Sequence, residues 1–202
     1  MPRIIAPAAR PHAADRRFLY GALSGLCFVY GSDLNPAQLR SRCVQPQALQ
    51  PARLLDYRLA FFGYSRIWDG AQETVVPAPG HSVWGMLYAL THSDWDRLDA
   101  WQDVRLDGTG AYFHYPVRVM DSDGQERIVL LYRKDTEGEP QKPSREYLDF
   151  IAHGAEVSGL PPDYTADLRQ FATQPASFAV PRRGQFDRAL LVASPCAGCP
   201  VE

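Results

Sequence analysis

Hydrophobic residues of this chain fall into short runs, and the most informative run ends abruptly at a turn of small residues. Phe28-Val29-Tyr30 predicts a buried strand. Gly31-Ser32 then predicts a tight turn, and Asn35-Pro36 predicts a helix start, because Asn is a preferred N-cap and Pro suits the first helical position. Backbone N–H groups at a helix start favour an anion or a developing negative charge. We therefore expect a ligand at this turn, although an ordinary strand-to-helix connection uses the same residue types.

Further apolar runs predict the strands of a sheet. By their alternation and their β-branched or aromatic content, the strands are expected at residues 56–62, 74–77, 82–89, 112–119 and 127–133. The run Pro77-Ala78-Pro79-Gly80 predicts a turn between the second and third of these strands. Asp121-Ser122-Asp123-Gly124 predicts a hairpin turn before the last one.

Two later segments have the spacing of amphipathic helices. Thr91 can cap the first, with Asp94 as an acid in its first turn. The residues on one face of this helix are Trp95, Leu98 and Gln102, which places Gln102 inward. Ser144 can cap the second helix, and Gly159 with Pro161-Pro162 is expected to end it. The apolar stripe of the second helix consists of Tyr147, Leu148, Ile151 and Ala155.

The order of these elements indicates the fold class. Several strands precede the second helix of the chain and a hairpin follows it, which is not the regular alternation of a doubly wound fold. An α+β fold, with a small mixed, barrel-like β-sheet and flanking helices, fits better. In such a fold the first turn and the inward face of residues 91–102 are candidate walls of one pocket.

Composition and charge limit the partners. A chain of 202 residues with 46% hydrophobic and 22% charged residues is most simply one domain, expected at residues 25–183 between flexible tails at 1–24 and 184–202. The net charge is −2 and the basic residues are scattered, so we expect neither nucleic acid nor a membrane as partner. No apolar run reaches the roughly 18 residues of a membrane span, and a cytoplasmic location is expected. The oligomeric state stays open.

The four cysteines carry a weaker signal. Cys27 lies in the first apolar run and Cys43 at the end of the helix that follows it, so both are expected to be inert. Cys196 and Cys199 have the spacing of a redox pair or of half a zinc site, but no second pair of ligands accompanies them. A redox-responsive role of these two thiols is a minor hypothesis.

Several motifs together resemble one family. Tyr30-Gly31-Ser32-Asp33-Leu34 looks like the Tyr-Gly-Ser-Asn-Leu signature of the gamma-glutamylcyclotransferase-like proteins. Other motifs follow in the order and spacing of that family, from about residue 26 to about residue 170: Trp68-Asp69-Gly70, Pro79-Gly80, Val83-Trp84-Gly85, Leu98-Asp99, Gly110-Ala111-Tyr112, Gly154-Ala155 and Gly159-Leu160-Pro161. The resemblance implies a small mixed β-barrel with flanking helices and a pocket at the signature turn.

The resemblance also implies a reaction on a small molecule with a γ-glutamyl group. The free α-amine of that group attacks its own γ-carbonyl, which gives 5-oxoproline and releases an amine or amino acid. Backbone N–H groups of the turn, from Tyr30 to Leu34, bind the glutamyl oxygens, and Tyr132 matches a tyrosine of the family's pocket. A single Glu moves a proton from the attacking amine to the leaving amine, which is one carboxylate acting as base and then as acid. No metal or organic cofactor takes part.

At the position of that Glu the chain departs from the family. The family pattern after Leu-Asp has two variable residues and then Glu-Gly, whereas this chain reads Leu98-Asp99-Ala100-Trp101-Gln102-Asp103. An amide such as Gln102 can hydrogen-bond a substrate, but it cannot take up or release a proton at neutral pH. General acid–base help is typically worth about 10²–10⁴ in rate, so another group must replace it if the chain is active.

Two carboxylates are candidates for that role. Asp103 follows Gln102 directly, but on a continuing helix its side chain is turned by about 100°, so it reaches the pocket only if the helix ends or bends there. Glu73 stands at the start of the 74–77 strand, where the family usually carries a small residue, and it reaches the pocket if it points inward. Solvated roles for both residues stay open.

Asp33 is a second departure, because an acid replaces the Asn of the signature. It can cap the helix as Asn does, or it can repel a carboxylate of the substrate. Two hypotheses follow from these departures. The chain is a gamma-glutamylcyclotransferase-type enzyme in which Asp103 or Glu73 replaces the Glu, or it is a catalytically impaired homologue that binds a small glutamate-like ligand.

Overall fold

The computed structural model describes residues 25–136 and 138–182. The tails predicted at 1–24 and 184–202, together with Cys196 and Cys199, lie outside the described residues. The strands are β1 (Leu26–Val29), β2 (Gln47–Ser65), β3 (Gly70–Ala89), β4 (Tyr112–Asp121) and β5 (Glu126–Lys134), and the helices are α1 (Pro36–Arg42), α2 (His92–Trp101), α3 (Arg145–Val157) and α4 (Pro162–Leu168). A single 3-10 turn, Ser32–Leu34, connects β1 to α1.

The five strands form a closed barrel in the order β1-β3-β2-β4-β5, which confirms the predicted fold class. All registered pairs are antiparallel except the closing one, where β1 and β5 run parallel and Cys27 faces Leu130. β2 and β4 are registered at two positions, Ala52 with Asp121 and Arg53 with Met120. In the described part of the chain, no helix has the length and apolar content needed to cross a membrane.

The turn predicted at 77–80 is wrong, because β3 passes through this region as one strand of 20 residues. On β2 and β3, Leu55 faces Ser82 and Tyr57 faces Pro77, so one residue of β2 stands opposite four residues of β3. Asp56 Oδ1 accepts a hydrogen bond from the Gly80 N–H at 2.9 Å, and Gly80 has φ of 79°. Proline and a left-handed glycine fit such a bulge as well as they fit a turn.

The helix starts follow the predicted caps. Asn35 Oδ1 accepts from the Ala37 and Gln38 N–H groups at 3.0 and 3.3 Å, and Pro36 is the first residue of α1. Thr91 and Asp94 form a reciprocal capping box at the start of α2. Ser144 caps α3, as predicted, but α4 is missing from the predictions. Pro161-Pro162 was expected only to end a helix, whereas Pro162 also begins α4, a position that suits a residue without an N–H.

Helix α3 supports the turn at the end of β1. A Cβ atom on Gly154 would lie 2.6 Å from the backbone N of Asn35, so glycine is needed for this close approach. The Ser158 hydroxyl donates to the Leu34 carbonyl at 2.8 Å. At the other end of α3, Tyr147 packs on Trp68 with ring centroids 4.5 Å apart. The helix thus fixes the turn against the barrel.

Candidate active site

The signature turn is buried where β1 leaves the barrel. The Tyr30 hydroxyl donates to the Tyr132 carbonyl at 2.5 Å, which ties the turn to β5. The Leu34 N–H donates to the Gly31 carbonyl at 2.9 Å and closes the 3-10 turn. The N–H groups of Gly31 and Asp33 donate no hydrogen bond to any other described residue. The turn therefore holds backbone donors in a fixed place without using all of them.

A narrow cavity opens beside this turn; its enclosed part has a volume of about 20 Å³, and its walls and open mouth together surround about 350 Å³. Its lining combines the end of β1, the turn, α2 and three strands of the barrel. The lining residues are Cys27, Phe28, Val29, Tyr30, Gly31, Asp33, Glu73, Leu98, Gln102, Tyr112 and Tyr132. The structure thus brings together Tyr30, Gly31, Asp33, Glu73, Gln102 and Tyr132 from the predicted site, while Ser32, Leu34 and Asp103 do not line the cavity.

Glu73 points inward from β3 into the cavity. The residue is 6% exposed, and Oε1 accepts a hydrogen bond from the Ser32 N–H at 2.8 Å. Oε2 accepts from the hydroxyl of Tyr147 on α3. The Tyr112 hydroxyl donates to the backbone carbonyl of Glu73 at 2.9 Å. A carboxylate of the chain itself therefore occupies one donor of the signature turn.

Three tyrosine hydroxyls remain protonated in these surroundings. Burial raises the pKa of Tyr30, Tyr112 and Tyr147 well above the ordinary value, and the charge of Glu73 raises each of them further. They therefore act as hydrogen-bond donors at neutral pH. The sequence placed Tyr147 only in the apolar stripe of a helix, and its contact with Glu73 spans 74 positions of the chain.

The backbone at Gly31 lies directly against the side chain of Glu73. A Cβ atom at position 31 would clash with Oε1, Cγ and Cδ of Glu73. This close approach explains why glycine stands here although its φ of −113° is open to any residue.

Asp33 is held from three sides. Its Oδ1 forms an ion pair with Arg42 Nη1 at 2.7 Å and accepts from Gln38 Nε2 at 3.1 Å. Its Oδ2 accepts from Gln102 Nε2 at 2.9 Å. Arg42 in turn lies over the ring of Trp101, 5.0 Å from its centroid. Sequence reasoning missed Arg42, because a basic residue in the last turn of a helix needs no further explanation.

Asp103 points away from the cavity, although α2 ends next to it. Residue 103 has φ of 50°, and its side chain is 49% exposed. The carboxylate accepts from Arg105 Nε at 2.8 Å and from the Ala111 N–H at 3.3 Å. Its contacts therefore stabilise the loop between α2 and β4.

A second polar group lies under α2, next to the cavity. Asp99 Oδ1 lies 2.6 Å from His114 Nε2 and accepts from the Tyr132 hydroxyl at 2.7 Å. Trp95 packs against both rings, with centroids 5.2 Å from His114 and 5.9 Å from Tyr132. These contacts fix the side chain of Tyr132 at the cavity wall. His114 carried no signal in the sequence, because its partner lies on a different element.

Within residues 25–136 and 138–182, no group of three or more His, Cys, Asp or Glu side chains is arranged to hold a metal ion. Cys27 and Cys43 are free and buried. Burial raises the pKa of the Cys27 thiol well above its ordinary value and that of Cys43 to about 12, so both stay protonated.

Comparison with known proteins gives consistent matches. Residues 82–168 match the model of the AIG2-like family. The chain is 31% identical over 150 residues to the gamma-glutamylcyclotransferase of Homo sapiens, covering 72% of this chain and 78% of the relative. It is 32% identical over 149 residues to that of Bos taurus, covering 72% and 77%. A solved structure described as gamma-glutamyl cyclotransferase superposes with a TM-score of 0.71 at 30% identity, covering 77% of this chain and 92% of that one.

Proposed function

We propose a function for this chain on the basis of its family: the chain belongs to the gamma-glutamylcyclotransferase family. The proposal is that it is an enzyme of this type and that Glu73 is its proton carrier. Its substrate is then a γ-glutamyl amine or γ-glutamyl amino acid, and its products are 5-oxoproline and the released amine. The observation that supports this proposal best is the Glu73 carboxylate, which lies in the cavity beside the signature turn.

The reaction requires a group that moves one proton. The substrate's α-amino nitrogen attacks its γ-carbonyl carbon only as a free amine, so a base must first take a proton from the ammonium. As the new C–N bond forms and the old one breaks, the leaving nitrogen needs a proton, because an amine leaves poorly as an anion. One carboxylate can do both, receiving the proton from the attacking nitrogen and returning it to the leaving one.

Glu73 fits this role better than the other candidates. The amide of Gln102 can neither take up nor release a proton at neutral pH. Asp103 is bound to Arg105 and does not line the cavity. Each oxygen of Glu73 accepts one hydrogen bond, from Ser32 or from Tyr147, which leaves a second lone pair on each oxygen to bind a proton. The Tyr147 hydroxyl holds the carboxylate in one orientation.

The tetrahedral intermediate needs donors for its negative oxygen. The N–H groups of Gly31 and Asp33 lie in the turn beside the cavity and make no hydrogen bond with the other described residues. Donors that are already fixed in place stabilise a developing charge without reorganisation. We propose that these N–H groups bind the oxygen of the γ-carbonyl. Neither a metal nor an organic cofactor is needed for these steps.

One observation favours a second candidate function. The residue on the α2 wall of the cavity is the amide of Gln102, and both oxygens of Glu73 already have donors. A chain with these features could bind a glutamate-like ligand without turning it over. This candidate is a catalytically impaired homologue, and it differs from the enzyme in that it releases no 5-oxoproline.

The test is 5-oxoproline release from a panel of γ-glutamyl amino acids and γ-glutamyl amines. We compare wild type with Glu73→Gln, which keeps the shape of the side chain and an oxygen for the Ser32 N–H. Asp103→Asn is the matched control, since it removes the other candidate acid. We expect release by wild type, a loss of about 10²–10⁴ in kcat for Glu73→Gln and little change for Asp103→Asn.

Other outcomes separate the hypotheses. Wild-type activity that survives in Glu73→Gln and disappears in Asp103→Asn would transfer the role to Asp103. Binding of 5-oxoproline by a wild type that releases none from any member of the panel would favour the impaired homologue. The panel also identifies the leaving amine.

A further inference from the structure

A groove with a volume of about 550 Å³ lies between β2 and β4. These two strands are registered at Ala52 with Asp121 and at Arg53 with Met120, and no position further along either strand is paired with the other. The groove occupies this gap, and we call it the β2–β4 groove. It shares no lining residue with the cavity at the signature turn, so the proposed enzyme reaction does not use it.

The lining of the β2–β4 groove is mainly apolar. Leu54, Val117 and Val119 are buried and contribute the deeper part of the lining. Leu55 and Ile128 also line the groove, and they are 40% and 50% exposed. An aliphatic chain in the groove would cover these side chains and release the water beside them, which is favourable for apolar surface.

The strand edges that border the groove are poorly suited to pair with a further strand. Asp56 lies in the bulge of β2, with φ of 61°, and interrupts the regular edge of that strand. Pro116 on β4 has no N–H to donate, and Arg118 and Glu126 add charged side chains to the same lining. Bulges, prolines and charges protect a sheet edge from strand addition. The groove therefore favours a ligand that needs no backbone hydrogen bonds.

An arginine without an anionic partner lies at one end of the groove. The guanidinium of Arg133 stacks over the ring of Tyr115, 4.7 Å from its centroid, and Tyr115 directly precedes the groove residue Pro116. Arg133 Nε is buried without a hydrogen-bond partner, and no carboxylate in the described part of the chain forms an ion pair with this arginine. Buried polar groups in folded proteins nearly always have partners, so this donor calls for an acceptor.

Tyr57 connects Arg133 with the groove. It lines the groove, and its hydroxyl is hydrogen-bonded to Tyr115. Burial raises the pKa of Tyr57, so the hydroxyl stays protonated at neutral pH, although the nearby positive charge of Arg133 acts in the opposite direction. A hydroxyl donor and a guanidinium thus lie near each other at one end of an apolar groove.

We propose that the β2–β4 groove binds a linear aliphatic monocarboxylate, with its chain along the apolar lining and its carboxylate at Arg133 and the Tyr57 hydroxyl. The carboxylate supplies an acceptor and a countercharge for the guanidinium, and such charge-assisted hydrogen bonds are strong. Residues 116–120 of β4 span about 13 Å at roughly 3.3 Å per residue, which accommodates an extended octanoate.

The test is isothermal titration of octanoate, octan-1-ol and octylamine into the full chain at pH 7. The three compounds share one aliphatic chain and differ in the charge of the head group. We expect wild type to bind octanoate about tenfold more tightly than octan-1-ol, and octylamine most weakly. An excess of 5-oxoproline should leave the affinity for octanoate unchanged, because the two sites share no lining residue.

Two variants and a control locate the binding. Arg133→Met keeps an apolar stem and removes the charge, so it should lower the affinity for octanoate about tenfold and abolish the preference over octan-1-ol. Ile128→Glu places a like charge on the half-exposed wall of the groove and should also weaken octanoate. Arg53→Met is the matched control, since Arg53 also stacks on an aromatic ring, that of Trp84, but does not line the groove. It should keep the affinity of wild type.

Melting temperatures verify that the variants are folded, and Ile128→Glu decides the outcome if Arg133→Met fails to fold. The proposal is overturned if wild type does not bind octanoate or binds octan-1-ol equally well. It is also overturned if neither variant weakens octanoate or if 5-oxoproline displaces it. The hexapeptide acetyl-Val-Thr-Val-Thr-Val-Glu tests strand addition, and tighter binding of this peptide than of octanoate, lost in Arg133→Met, would assign the groove to a peptide instead.

Discussion

Asp33 and Gln102 hold each other through one hydrogen bond, so a change at either residue alters the chemistry of both. The family pattern that this chain resembles has Asn at the position of Asp33 and Glu at the position of Gln102. The amide and the acid are therefore exchanged in this chain. The one carboxylate of this pair therefore lies on the turn, beside Arg42.

A Gln102→Glu variant by itself is therefore expected to be a poor enzyme. The new carboxylate would lie within about 3 Å of Asp33, where two like charges disfavour each other. Asp33→Asn in the same chain relieves the repulsion, so the double variant should release 5-oxoproline roughly tenfold faster than Gln102→Glu alone. Rates and melting temperatures of both single variants and the double variant check this. Equal rates for Gln102→Glu and the double variant would show that the two positions are not coupled.

Gly31 and Glu73 provide a second coupled pair. A methyl group at position 31 meets the buried Glu73 side chain, so Gly31→Ala is expected to lower the free energy of unfolding by about 1–3 kcal/mol. Glu73→Ala removes the obstacle, and Gly31→Ala should cost much less in that background. Urea unfolding of the double-mutant cycle measures the coupling. The Asp103→Asn background is the control, and the same cost in all three backgrounds would contradict the contact.

At this scale the sequence identified most cavity residues but left their orientation open. Glu73 could not be assigned to the inner or the outer face of the sheet. The predicted strand began only at residue 74, so its inward–outward alternation did not include residue 73. The direction of the Asp103 side chain could not be predicted, because Asp103 itself adopts a left-handed backbone conformation after the helix, with φ of 50°. Tyr147, His114 and Arg42 act through partners on other elements, and a single sequence carries no signal for such pairs.

Among the elements, α2 is fixed mainly through Asp94. Both oxygens of this buried carboxylate accept hydrogen bonds: Oδ2 from the Thr91 N–H and hydroxyl, and Oδ1 from the N–H groups of Val44 and Gln45 after α1. Asp94 thereby joins the end of α1, which carries Arg42, to the start of α2, whose C-cap is Gln102. Burial opposes the charge of Asp94, but these hydrogen bonds outweigh it and hold its pKa below the ordinary value.

We expect Asp94→Ala to lower the free energy of unfolding by about 2 kcal/mol at pH 7, through the lost cap and the unpaired N–H groups. Because the folded pKa of Asp94 is lowered, its contribution is present above the ordinary value of 3.8 and is lost as the pH falls through the folded pKa. The difference between wild type and variant should therefore shrink below about pH 4. Urea unfolding between pH 7 and pH 3 measures this, and a difference that stays constant over that range would contradict the role of the carboxylate.

The elements also show where local patterns are ambiguous. Pro77–Gly80 contains every signal of a turn, yet its residues form a bulge within β3, because β2 continues beside it on both sides. Pro162 follows the end of α3 and also begins α4. In both cases the residues satisfy two local structures equally, and only pairing with a distant element decides between them. The capped helices α1, α2 and α3 were predictable because each cap satisfies backbone N–H groups locally.

For the whole molecule, the cavity depends on closure of the barrel. Residues near positions 30, 73, 102, 132 and 147 meet only when β1 joins both β3 and β5 and when α2 and α3 cover the end of β1. The mixed barrel was predictable from the order of the elements and the family resemblance. The strand order was not, since the parallel contact of β1 with β5 joins segments about 100 residues apart.

This dependence predicts how a ligand affects stability. We propose that residues 25–183 unfold as one unit, so a ligand that binds the closed cavity stabilises the entire unit. At 100 times its Kd, 5-oxoproline should add about 2.7 kcal/mol, which corresponds to an increase of some 5–10 °C in the melting temperature. Calorimetry of the full chain and of a chain trimmed to residues 25–183 should give the same increase in a single transition, and Gly31→Ala should reduce it. A smaller increase in the trimmed chain would assign part of the binding site to the residues removed, and two transitions would contradict a single domain.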